Sequence, residues 1–101
     1  MSPHETANKF SLGRIVATPR ALEALGAAGQ SADEFLARHL VGDWGELDPE
    51  DKALNEAALL DGSRILSAYT LRTGDRLWVI TEGTNEVGLR YSSTILLPSD
   101  Y

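Results

Sequence analysis

The chain has 101 residues, 43% of them hydrophobic and 24% charged, which allows one packed core and excludes wholesale disorder. It contains no cysteine, so disulfide scaffolds, thiolate metal sites, iron–sulfur clusters and cysteine nucleophiles are excluded. The formal charge is −6, and one segment accounts for all of it: Asp43, Glu46, Asp48, Glu50, Asp51, Glu56 and Asp61 stand against Lys52 alone, while the rest of the chain is balanced.

Residues 1–11 are polar and aperiodic and read as a flexible N-terminal tail without the apolar run of a signal peptide, so a cytoplasmic location is expected. No apolar stretch approaches the ~20 residues of a membrane helix. Leu12–Thr18 has the β-branched content of a short strand. Thr18-Pro19 is a helix start, a hydroxyl at the N-cap followed by proline where its missing N–H costs nothing. Ala21, Leu22 and Leu25 give that helix an apolar face, and Gly26 and Gly29 bracket its end. Ser31 and Glu34 have capping-box spacing and open a second helix, with Phe35, Leu36, Leu40 and His39 on one face and Arg38 turned outward. Gly42 stops it, and Gly42–Glu46 is a loop that contains Trp44.

Asp48-Pro49 opens a third helix by the same logic, its first-turn acids suiting the helix dipole. Leu54, Ala57, Ala58, Leu59 and Leu60 are its expected buried face, and Asp61-Gly62 ends it. Arg64–Leu71 alternates as a strand, Arg72–Asp75 is a hairpin turn, and Leu77–Thr81 is apolar on both faces, as a central strand is. A connection over Glu82–Gly88 leads to a last strand, Leu89–Leu97. The expectation is a single α+β domain over residues 12–101: a short N-terminal strand, three helices, then a three-stranded antiparallel meander (β-α-α-α-β-β-β). Helices cover one face, and the first strand joins at an edge.

The acidic segment has two readings: a solvated helix start, or a carboxylate surface that draws in a basic partner. On the second reading the contact residues are Asp43, Trp44, Glu46, Asp48, Glu50 and Asp51. Trp44 is either a loop anchor for that partner or a plug folded back over the core. His39 reads as a structural histidine, because a two-ligand clip with Asp43 has no third ligand, so no metal and no cofactor are expected. A small ribonuclease-like toxin of the barnase–RelE type would draw on His39, Arg64, Tyr69, Arg90, Ser93 and Thr94, but an acidic chain repels a polyanion. Arg64, Arg72, Arg76 and Arg90 read equally as solvated edge residues. No dinucleotide, P-loop, nucleophile-elbow or zincin motif is present.

Gly42-Asp43-Trp44-Gly45-Glu46-Leu47, Asp61–Tyr69, Leu77–Glu82 and Thr94–Pro98 together resemble a family of small bacterial proteins carried on plasmids and other mobile elements. The similarity runs from about Gly13 to Tyr101, with a longer connection over Gly83–Ser92 than that family uses. The resemblance implies a non-enzymatic, protein-binding accessory protein of a mobile element, with counter-defence (anti-CRISPR or anti-restriction) as its expected role. Its partner would be a basic protein, such as a host nuclease complex, rather than nucleic acid or membrane. A homodimer that pairs strand edges is the third reading.

Overall fold

The structure, a computed structural model, describes residues 7–101. The first six residues of the expected tail lie outside the described residues. Of the remainder, Lys9 donates its backbone N–H to Leu40 O at 2.8 Å, and Phe10 stacks edge-on against His39.

Strand β1 (Arg14–Ala17) leads into α1 (Pro19–Ala28), whose N-cap Thr18 accepts from the Ala21 amide at 3.1 Å. Helix α2 (Ala32–Leu40) follows at once. Ser31 is its N-cap by position, but its hydroxyl makes no capping bond; the Glu34 carboxylate takes Gln30 Nε2 instead, at 3.0 Å. The expected capping box therefore does not form. Helix α3 (Pro49–Asp61) starts as expected, with the Asp48 carboxylate accepting from the Asp51 amide at 2.8 Å. Strands β2 (Ile65–Thr70), β3 (Arg76–Thr81) and β4 (Ser92–Leu96) complete the domain.

The α+β class is as expected, but the strand layout differs. β2, β3 and β4 form the antiparallel meander with β3 in the middle, and β1 adds to β4 in parallel, giving a four-stranded mixed sheet in the order β1-β4-β3-β2. The three helices thus carry the chain from one edge of the sheet to the other. β4 also begins at Ser92 rather than Leu89, since the Asn85 side chain accepts from the Val87 and Leu89 amides and winds that stretch into a turn.

Along β2 and β3, alternation sends Ile65, Ser67, Tyr69, Leu77, Val79 and Thr81 to one face. There α1 and α2 bury Ala21, Ala24, Leu25, Ala28, Phe35 and Leu36 against Tyr69, Leu71, Leu77, Val79 and Ile95. A second cluster joins Trp44, Ala58 and Ile65 to Phe10, Leu47 and Leu59. Helix α3 lies differently from its apolar pattern: Asn55 and Ala58 are its buried residues, while Leu54 and Leu60 are 66% and 92% exposed. Its anchor is polar, so the hydropathy of its leucines misreads which side faces inward.

Candidate functional site

The six residues expected to meet a basic partner do not form one free surface. Arg38 Nε donates to Asp43 Oδ2 at 2.7 Å, and this bond holds the Asp43 carboxyl below its ordinary range while raising the guanidinium. Trp44 is 4% exposed, and its indole donates to Glu56 Oε2 at 2.7 Å. It therefore seals the second core cluster, which corrects the reading of Trp44 as an anchor for a partner. Glu46 faces Arg76 at 3.8 Å and accepts from the Thr70 hydroxyl. Asp48 is engaged as the α3 cap. Glu50 and Asp51 stand exposed on the first turn with no ion-pair partner among the described residues.

His39 is fully buried, with Nδ1 2.6 Å from Ser67 Oγ and Nε2 2.9 Å from Thr81 Oγ1. The chain continues from Thr81 Oγ1 to Ser93 Oγ at 2.6 Å, and Ser93 donates to Leu12 O at 2.8 Å. Burial, aided by the charge of Arg90, lowers the imidazole pKa to about 4, so the ring is neutral at pH 7. This network ties α2, β2, β3, β4 and the entry to β1 together beneath the helices. Of the nuclease set, Tyr69 and Ser93 share this buried face, whereas Arg64 is exposed and Thr94 lies on the opposite face. The set does not converge on an open cleft. Among the described residues no group of three or more His, Cys, Asp or Glu is placed to hold a metal ion.

The two edges of the sheet differ in kind. At β2 the outward-facing backbone groups of Leu66 and Ala68 are taken. Asn55 Nδ2 donates to Leu66 O at 2.6 Å, and the Leu66 amide donates to Asn55 Oδ1 at 3.1 Å. The Ala68 amide donates to Trp44 O at 3.1 Å, and Glu46 N–H donates to Ala68 O at 2.7 Å. Gly45 makes the close approach feasible: its φ is 75°, and a Cβ there would collide with the Ala68 carbonyl. At β1 the amides of Arg14 and Thr18 bond Tyr91 O and Ile95 O, so by alternation those of Ile15 and Ala17 point away from β4. Among the described residues nothing pairs with them. Ile15 and Val16 are also exposed, one on each face of the sheet.

A second feature lies where α3 ends. A cavity of about 340 Å³ is lined by Phe10, Leu59, Leu60, Asp61, Thr84, Leu89 and Arg90, among others. Arg90 is buried rather than solvated like the exposed Arg64, Arg72 and Arg76, because its guanidinium gathers three backbone carbonyls: Ser63 O at 2.7 Å, Glu82 O at 3.0 Å and Ala58 O at 3.0 Å.

Two of these features escaped the sequence. The signal for Asn55 is a polar residue inside an otherwise apolar helix stripe, and the short first strand points to an edge without telling whether it is open. Nothing local distinguishes Arg90 from the other arginines near the sheet. No helix of the described residues is long and apolar enough to cross a membrane. Comparison with protein-family models, with curated proteins and with solved structures finds no match to this chain.

Proposed function

We propose that this is a non-enzymatic, protein-binding accessory protein whose contact is the β1 edge, where an extended segment of a partner protein adds as a fifth strand. The observation that carries this reading is the asymmetry of the sheet: one edge is covered at Leu66 and Ala68 by Asn55 and the 44–46 loop, while the other presents unpaired backbone groups at Ile15 and Ala17. Exposed edges of this kind are templates for pairing with another chain. Two outward N–H groups and two carbonyls give about 4 kcal/mol of net pairing at ~1 kcal/mol each. That corresponds to roughly millimolar affinity, so the exposed Ile15 and Val16 side chains must supply the selectivity and the remaining affinity.

The experiment is capture of partners from a host lysate with wild-type protein and with Ile15→Pro. Proline at an edge position removes only an N–H that faces solvent, so the fold is retained and the strand partner is lost. A partner held equally by both proteins contradicts the reading. Sedimentation over a range of concentrations identifies the case in which the added strand belongs to a second copy of the chain.

A second reading keeps the acidic surface, reduced to Asp48, Glu50 and Asp51 at the start of α3. It is favoured by the exposure of Glu50 and Asp51. The mobile-element context and the counter-defence role belong to both readings and rest on the sequence resemblance. A partner lost on Glu50→Gln with Asp51→Asn, yet kept by Ile15→Pro, selects the acidic surface.

A further inference from the structure

We infer that the cavity at the C-terminal end of α3 binds a compact organic monocarboxylate with an apolar body, its carboxylate meeting Arg90. This site is separate from the β1 edge and does not depend on the reading given to that edge.

Arg90 is 8% exposed and is held by three carbonyl dipoles and by the Phe10 ring, whose centroid lies 5.8 Å from the guanidinium carbon; no carboxylate lies within ion-pair distance of it among the described residues. A guanidinium carries five N–H groups, and Nη1 and Nη2 spend three of them on Ser63, Glu82 and Ala58. Nε makes no hydrogen bond, yet no buried side-chain nitrogen among the described residues lacks one, so Nε is not sealed from solvent, and Arg90 lines the cavity. A desolvated cation with unspent donors, set in a concave wall, is the group that fixes an anion.

The other lining residues define the rest of the ligand. Phe10, Leu59, Leu60 and Leu89 supply the apolar part of the lining, with Leu60 and Leu89 at its exposed rim. The Asp61 carboxylate also lines the cavity, held by the Ser63 amide at 2.8 Å. Its charge disfavours a second negative charge close by, which selects a monoanion over a phosphate dianion. A volume of about 340 Å³ suits a small molecule or a single apolar residue at a chain terminus.

The test is amide and guanidinium NMR of the full chain titrated with 4-phenylbutyrate, its primary amide, phenyl phosphate, and a short peptide ending in leucine as the free acid or the amide. The site predicts saturable shifts at Gly62, Thr84, Leu89 and Arg90 Nε below about 10 mM with a free acid and not with its amide or the phosphate. Saturation by either acid supports the site, and the tighter binder names its source. Because Arg90 holds three segments together, the variant used is Leu60→Glu, at an exposed position. It should weaken binding roughly tenfold or more while leaving the spectrum elsewhere unchanged. No saturable shift with either acid, equal shifts with acid and amide, or undiminished binding by Leu60→Glu overturns the inference.

Discussion

Asn55 and Leu66 exchange two hydrogen bonds, the carboxamide Nδ2 donating to the Leu66 carbonyl at 2.6 Å and the Leu66 amide donating to Oδ1 at 3.1 Å. One side chain thereby stands where a neighbouring strand would be. Asn55→Ala leaves both part-buried backbone groups without partners, at a cost of about 2–4 kcal/mol. The loss is read from urea unfolding. The same variant opens the β2 edge, so concentration-dependent association in sedimentation is expected alongside it.

The His39 network makes stability depend on pH in a definite window. With the folded pKa lowered to about 4 from an ordinary value of 6.5, the unfolded chain binds the extra proton first as pH falls. Stability is full above pH 6.5 and declines between 6.5 and 4, by about 3 kcal/mol at most. Asp43, whose folded pKa is also lowered, acts below this window, its contribution being lost as pH falls through the carboxylate range. Urea midpoints between pH 7 and 4.5 should fall for the wild type, and His39→Gln should flatten that slope while lowering the pH 7 value. A wild-type midpoint constant over this range contradicts the buried, doubly bonded imidazole.

Trp44 distinguishes a core plug from a surface anchor without any partner. In a Trp78→Phe background its emission should lie to the blue and resist quenching by iodide, since the ring is enclosed by Phe10, His39 and the second core cluster. Trp44→Ala should cost about 3–5 kcal/mol. A red, quenchable emission contradicts this placement.

The acids of the α3 start should separate by role. Asp48→Ala removes a cap bonded to Asp51 N–H and costs about 1 kcal/mol. Glu50→Gln and Asp51→Asn, which bear only on the helix dipole, should each change stability by no more than about 0.5 kcal/mol. Thermal melts of the three variants check this ordering.

The helix starts at Thr18-Pro19 and Asp48-Pro49 were legible because capping is settled within four residues. The strands of the meander were legible because alternation is local, and a short strand within Leu12–Thr18, observed over Arg14–Ala17, followed from its β-branched content. What escaped depended on chain-distant partners. Leu54 and Leu60 look like a core face until Asn55 is seen to dock on Leu66 and turn them outward. The concentration of acids was real in sequence, but Arg38 reaches Asp43 and Arg76 reaches Glu46 only in three dimensions. The parallel pairing of β1 with β4 depends on where a three-helix crossover lands, aided by Gly13, whose φ of 65° lets the chain run against Arg90 and Tyr91. Which edge is open follows from all of these together.

Amide hydrogen exchange at Ile15 and Ala17, measured in dilute protein and again in complex with the partner that wild-type protein captures, tests the proposed role most directly. The expected result is rapid exchange at both positions in the isolated chain, with Val16, Leu66 and Ala68 slow, and strong protection of Ile15 and Ala17 alone in the complex. Slow exchange at Ile15 and Ala17 before any partner is added, or rates unchanged by it, would mean that β1 is not where this protein makes its contact.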